Sequence, residues 1–442
     1  MFANFVIKKI QKWLNPVYNR SFVLQKIDWF IGINIFLLIF SSTFAQSDNI
    51  GYFAIFTILL TFIKLVTNPK EEFKMTFGDI FLLIYFLLVI ISLCGSSLFY
   101  LSLKGFLKTC TYIGFYVAFI HYLKNNKKML KYILLALAIS AFGESIVAIQ
   151  QHFLSVSEIS GWQDVTRLNP EEVMTRVYGT VKPYNPNLFG GYVLSLLPAT
   201  LILMFLPLRN KHYKTACVGF CVFLMTILAI VLTGCRGAYI GLFIELLLLV
   251  IFTYRILKPA FKKLFEVFTA VLSAVVGFLI IVLPPLRARV FSIFAFRGDS
   301  SNSFRFNVYN SCIQMFKDNW LLGIGCGNQN FREIYGLYMK TGFDALSAYN
   351  IYLETAVESG IFALAAFLAF LYFNISKAVK YILKRNNIKS LYLIVSVVSI
   401  AGILVHGFVD TVFFRPQIQF VFWIMIGIIR VTTIKYPAGR HQ

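Results

Sequence analysis

Residues 187–255 read NLFGGYVLSLLPATLILMFLPLRNKHYKTACVGFCVFLMTILAIVLTGCRGAYIGLFIELLLLVIFTYR. Three apolar blocks, 187–207, 214–233 and 237–254, are separated by a basic hexapeptide at 209–214 and by the turn sequence TGCRG at 233–237. Each block has about the 20 residues that a helix needs to cross roughly 30 Å of hydrocarbon at 1.5 Å per residue. A β-barrel would instead show alternating segments of about ten residues. The stretch therefore predicts three successive transmembrane helices.

The same pattern extends in both directions. Further spans are predicted at 28–46, 51–67, 78–96, 106–123, 129–151, 265–284, 348–373, 389–408 and 413–431, twelve in all. With 58% hydrophobic and 14% charged residues, the 442-residue chain is expected to be an all-α polytopic membrane protein. One transmembrane domain, 28–431, is flanked by a basic segment, 1–27, and a tail, 432–442. A large external loop, 285–347, joins the ninth and tenth helices, and a shorter external segment covers 152–186. Function is expected at these external segments, because loops carried by a rigid scaffold commonly hold binding groups.

The formal charge of +22 invites a nucleic-acid reading, but its distribution argues otherwise. Of the 41 basic residues, 27 fall in the two termini and in alternate short connections, and seven of the other 14 lie in the long loop. That asymmetry is an orientation signal: it places both termini in the cytoplasm of a bacterial inner membrane, with no nucleic-acid partner. In residues 1–20, Phe2, Phe5, Ile7, Ile10 and Trp13 alternate with Lys8, Lys9, Lys12 and Arg20, as in a basic helix lying on a membrane surface. The short cytoplasmic connections leave no room for a nucleotide-binding domain.

Seven cysteines are scattered without metal-type spacing. Cys94, Cys110, Cys217 and Cys221 read as lipid-embedded packing residues; Cys312 and Cys326 share the external loop, where a disulfide could join them. In that loop SNSFRFNVYNSCIQMFKDNW (301–320) has helical apolar spacing and predicts an amphipathic helix on the outer membrane surface. GIGCGNQNF (323–331) is not flanked by a strand and helix, and reads as a tight backbone turn.

Against the general charge bias, Arg176, Arg236, Arg305 and Arg415 fall at outer helix ends. An arginine fork holds phosphate oxygens by two charge-assisted hydrogen bonds, so several converging on one cavity would hold a pyrophosphate. Alternatively each one snorkels to the headgroups or pairs with a carboxylate such as Asp410. Glu354 and Glu358 share one helix face, as do His406 and Asp410, and either pair could supply a general base or simply bond helix to helix. Glu144 and Glu245 are isolated in apolar blocks and read as structurally paired. No metal-ligand cluster is visible.

These residues, taken with YNPNLFGGYVLSLLPA (184–199), LTGCRGAYIGL (232–242), SFRFNVYNSCIQMFKDNWLLGIGCGNQNF (303–331), AYNIYLETAVESGIFAL (348–364) and HGFVDTVFFRPQIQFVFW (406–423), resemble the O-antigen ligase and polymerase superfamily over roughly 140–430. The resemblance implies metal-independent transfer of a glycan from an undecaprenyl-pyrophosphate carrier to a glycan or lipid acceptor, without a cofactor. It implies that Arg236 and Arg305 engage the pyrophosphate, with Arg176 and Arg415 in support. Where these ligases usually carry a histidine that acts on the acceptor hydroxyl, this chain has Tyr349. A phenol with a pKa of about 10 is a poor base at neutral pH. The base then moves to Glu354, Glu358, His406 or Asp410, leaving Tyr349 to position the acceptor. Tyr349 and DTVFFRP also resemble a subgroup labelled as bicarbonate transporters, which gives small-anion transport as the second reading and a flux-control subunit as the third. The paired broken helices that usually mark a midplane transport site are not apparent in the sequence.

Overall fold

The computed structural model describes residues 2–69, 71, 75–154, 176–257, 259–295 and 300–434. Seventeen α-helices and no strands are found among them. In chain order they are α1 (Phe2–Arg20), α2 (Phe22–Gln25), α3 (Ile27–Phe44), α4 (Ser47–Thr67), α5 (Phe77–Gly95), α6 (Phe99–Asn125), α7 (Met129–Phe153), α8 (Pro186–Arg209) and α9 (Tyr213–Leu232). There follow α10 (Arg236–Ile256), α11 (Pro259–Val282), α12 (Pro284–Phe291), α13 (Ser300–Asp318), α14 (Asn328–Tyr335), α15 (Ile351–Lys384), α16 (Ile388–His406) and α17 (Pro416–Thr433).

Eleven helices among the described residues are long and apolar enough to cross a membrane, so the protein is an all-α, multi-pass membrane protein. The expected fourth span is the exception. Helix α6 has 27 residues, but Lys104, Lys108 and His121 make it too polar to join that set. It nevertheless runs the depth of the bundle. At one end Gly105 packs against Cys326 and Gly327, and at the other Asn125 donates to Glu71.

The interior is built around α8, α16 and α17. Helix α8 packs against α7, α9, α10 and α16, and α17 packs against α6, α15 and α16. These contacts explain why α8 and α17 are buried nearly all round, whereas α11 buries no residue. An apolar helix that buries no residue in protein is tolerated because lipid solvates it.

The bundle has two dissimilar ends. The basic end collects α1 and the connections near 64–76, 125–128, 209–213 and 384–388. There Lys64 pairs with Asp28 at 2.7 Å and with Glu71 at 3.1 Å, while Gln11 of α1 donates to the carbonyls of Leu65 and Glu71. Arg430 pairs with Asp79 at 2.8 Å, and Tyr116 donates to the same carboxylate.

The loop end carries the segment predicted at 285–347, which is structured. Its α13 forms as expected, but the apolar face is covered by protein: Val308, Cys312 and Met315 pack with Phe331, Tyr335, Ala348 and Val357 in a second small core. Cys312 and Cys326 are both buried free thiols, and the disulfide that their shared loop would allow is not formed. Cys312 is held in that core, while Cys326 faces the Ser102 carbonyl of α6.

The GIGCG segment is a tight turn with a definite task. Helix α15 breaks at Gly360 (φ 81°), which frees the carbonyls of Val357 and Glu358. The loop satisfies them, with Ile324 N–H donating to Val357 and Gly325 N–H to Glu358, and Trp320 accepting from Ile361 N–H. Gly323 must be glycine here, because a Cβ would lie 2.4 Å from the Glu358 carbonyl. The loop is thus bolted to the break in α15, which fixes what it presents to the neighbouring helix ends.

Of the shorter external segment, residues 155–175 lie outside the described residues, and the expected tail is described only to residue 434.

Candidate active site

Four helix ends converge beneath the loop. The Thr233–Cys235 turn, with Gly234 at φ 60°, joins α9 to α10. Arg176 enters there. Its Nε donates to the Thr233 carbonyl at 2.7 Å and its Nη2 to Asn187 Oδ1 at 2.5 Å. Asn187 opens α8 behind the Asn185 cap and passes the link on, its amide donating to Asp410 Oδ2 at 3.2 Å. The same carboxylate oxygen lies 3.7 Å from Arg305 Nη2 on α13. A chain of polar contacts therefore runs Arg176–Asn187–Asp410–Arg305.

Asp410 is not on α16, as the four-residue spacing from His406 suggested. The helix ends at His406, and Asp410 follows in a turn in which its own N–H still bonds to the His406 carbonyl. Its Oδ1 accepts from Thr411 N–H at 2.7 Å. His406 is enclosed. A Cβ on Gly191 would lie 2.9 Å from the ring, and one on Gly237 2.5 Å. Its Nε2 faces Cys235 Sγ at 3.7 Å. Burial pushes the Cys235 thiol up, but His406 and Arg176 outweigh it and hold the thiol below its usual value.

Tyr349 precedes α15 in left-handed backbone (φ 50°), and its carbonyl accepts from Tyr309 at 3.1 Å. Its ring lies under the Arg305 guanidinium, 5.6 Å from carbon to centroid. Burial, and then the nearby Asp410, push the phenol above its ordinary value despite Arg305. Tyr349 is thus a platform for Arg305, and its phenol is less ionised at neutral pH than a free one.

Arg305 has an unfilled donor. Nη1 donates to Ser301 at 2.9 Å, whereas Nε is sealed from solvent and has no hydrogen-bond partner among the described residues. A buried unsatisfied donor is costly and points to a missing acceptor. Arg236 starts α10 and reaches Ser292, whose carbonyl and hydroxyl each lie 3.4 Å from Nη1. It is close enough to add its like charge to the burial that pulls Arg176 below the usual guanidinium value. Arg305 thus lies beside Asp410, Arg176 is linked to it through Asn187, and Arg236 is close to Arg176. Arg415 does not join them: it is exposed at the start of α17 and forms no ion pair with a described residue.

Both glutamates of α15 are committed to the backbone. Glu354 accepts from Ala348 N–H at 2.9 Å, and Glu358 accepts from Gly327 N–H at 2.8 Å. Each fastens the loop. Glu144 is paired, as the sequence suggested, here with the backbone and hydroxyl of Thr180. Glu245 is not: both its oxygens are buried, against Gly402, without a hydrogen-bond partner among the described residues. Among the described residues no three His, Cys, Asp or Glu side chains are placed to hold a metal ion.

Asn187, Cys235 and Gly237 were not singled out from the sequence. All three lie inside the quoted motifs, and Asn187 is a polar residue on an otherwise apolar span, which was the available signal.

Residues 220–368, roughly a third of the chain, match the family model described as O-antigen ligase. None of the curated proteins matches the chain. The matched region is narrower than the resemblance read from the motifs. It contains Cys235, Arg236, Arg305, Tyr349, Glu354 and Glu358, while Arg176, Asn187, His406 and Asp410 lie in the segments flanking it.

Proposed function

From an O-antigen ligase region embedded in a multi-pass membrane protein, which indicates membrane glycan ligation or polymerisation, we propose that the chain transfers a glycan from a polyprenyl-pyrophosphate carrier, of the undecaprenyl type, to an acceptor hydroxyl. The reaction takes place at the outer face of a bacterial inner membrane, with both termini cytoplasmic. The support for that orientation is the basic end, which carries most of the chain's lysines and arginines.

The observation that carries this reading is Arg305, a half-buried guanidinium whose sealed Nε has no acceptor among the described residues. With Arg176 linked to the same carboxylate through Asn187 and Arg236 close to Arg176, the cluster favours an anion with several oxygens, and a pyrophosphate supplies them. The guanidiniums would also stabilise the charge that grows on the pyrophosphate as the sugar C1–O bond breaks. The acceptor oxygen forms the new bond to C1, its proton passes to a base, and the carrier leaves as its pyrophosphate.

We assign the base role to Asp410. Its long contact with Arg305 is replaceable: an incoming pyrophosphate competes for the guanidinium and releases the carboxylate to the acceptor hydroxyl. His406, enclosed by two glycines, positions Asp410 through the shared turn. Glu354 and Glu358 hold the loop over the site.

The test is the carrier-linked glycan profile of a deletion strain. Carrier-linked glycan should accumulate, and the wild-type chain but not Arg305→Ala, at equal membrane level, should clear it. An unchanged profile removes glycan transfer, and labelled bicarbonate uptake then tests the small-anion reading.

A further inference from the structure

At the basic end, far from the arginines, α7, α8 and α9 enclose a cavity of about 360 Å³, within the size range of small-ligand sites. Asn187 and Leu206 lie on the same helix nineteen residues apart, about 29 Å, so the cavity is no part of the site described above. Its floor is apolar, with Leu135, Ile202, Leu206 and Val222, and its rim carries Lys131, Asn210 and His212. The local sequence makes the shape. Gly219 lets α9 touch the α8 backbone at Leu203, where a Cβ would lie 2.4 Å from the carbonyl. Below that contact the chain turns through Lys211 (φ 61°), and His212 N–H closes back on the Pro207 carbonyl.

Two features identify the occupant. Val218, 63% exposed, stands at the mouth on the outward side of α9, so the cavity opens toward the lipid. Tyr132 and Tyr213, 51% and 67% exposed, mark the headgroup level beside the rim. The rim is also uniformly basic: Lys127, Lys128, Lys131, Arg209, Lys211 and Lys214 lie in these connections, and no Asp or Glu occurs from 124 to 143 or from 201 to 235.

We propose that this cavity binds an anionic phospholipid, with one acyl chain on the apolar floor and the phosphate at Lys131, Asn210 and His212. An apolar floor has no use for free phosphate, and a cationic rim discriminates against a zwitterionic headgroup. One lysine near an anionic headgroup gives about a fivefold preference.

The intact protein in mild detergent is equilibrated with an equimolar mixture of phosphatidylglycerol and phosphatidylcholine, and retained lipid is read by native mass spectrometry. A one-lipid adduct enriched about fivefold in phosphatidylglycerol is expected. Lys131→Ala should abolish the enrichment. Val218→Trp, which fills the mouth without changing charge, should abolish the adduct, with circular dichroism confirming that both variants are folded. Equal retention of the two lipids, wild-type retention in both variants, or displacement by millimolar glycerol phosphate would each overturn the proposal.

Discussion

Arg305 approaches Asp410 only to 3.7 Å, and its buried Nε is left without an acceptor among the described residues. A well-formed buried guanidinium–carboxylate pair is shorter and uses two parallel hydrogen bonds. The pair is therefore poised rather than locked, with room for an anion to draw the arginine away. If so, the fork geometry matters as much as the charge. Arg305→Lys should lose transfer nearly as fully as Arg305→Ala, roughly 10²- to 10³-fold in turnover, measured on membranes with equal protein level. Recovery of activity by lysine would reduce Arg305 to a point charge.

Asp410→Asn keeps the shape and one acceptor oxygen for Thr411 N–H, but it gives up the bond from the Asn187 amide and cannot take a proton. Turnover should drop by about 100-fold or more, with carrier-glycan binding retained. A variant that loses binding in proportion would show that Asp410 only orients Arg305.

Tyr349 lies beneath Arg305 as a ring and has a phenol pushed above its ordinary value. Tyr349→Phe should retain most activity, because the face survives. Tyr349→Ala should lose it, because Arg305 loses its platform. Equal loss in both variants would return the role to the hydroxyl.

Gly191→Ala and Gly237→Ala would each drive a methyl against the His406 ring, at 2.9 and 2.5 Å. Overpacking of this kind costs about 1–3 kcal/mol. Thermal unfolding should shift downward in both, and combining either with His406→Ala should restore much of the shift. Failure of that rescue would mean that Val412 at Gly191 or Val409 at Gly237, each with Cγ2 2.9 Å from the added methyl, sets the limit instead of the ring.

At the basic end, burial would raise the Glu71 carboxyl, but the hydrogen bond with His121 and the charge of Lys64 outweigh it and hold it at about 2. A carboxyl lowered on folding contributes stability above its unfolded value, near 4.3, and loses it as pH falls toward 2. Wild type should therefore lose stability over that acid window, and Glu71→Gln should show a flatter profile. Parallel profiles would remove Glu71 from the account.

The membrane spans were legible because lipid imposes one length and one polarity on every crossing, so α3, α8 and α10 follow from runs of apolar residues alone. Helix α6 shows the limit of that rule. Its Tyr116 and Tyr122 are buried against protein, so composition undercounts it although its contacts reach both ends of the bundle. The site was half legible. Arginines in the wrong place for an orientation signal were conspicuous, and Arg176, Arg236 and Arg305 do gather. Arg415 has the same sequence signature but stands apart, because linear spacing does not say which side of a helix end faces the cavity. The linkage through Asn187, the Cys235–His406 contact and the fastening of Glu354 and Glu358 to loop amides are all long-range contacts. No period of 3.6 encodes them. Glu245 is the opposite case, expected to be paired and found without a partner.

The central claim is that Arg305 holds the departing pyrophosphate, and purified protein in liposomes with carrier-linked glycan and acceptor tests it most directly. Wild type should form product and free carrier pyrophosphate in equal amounts, and Arg305→Ala, equally folded, should form almost none at saturating substrate. Product formation by Arg305→Ala at the wild-type rate would contradict the account.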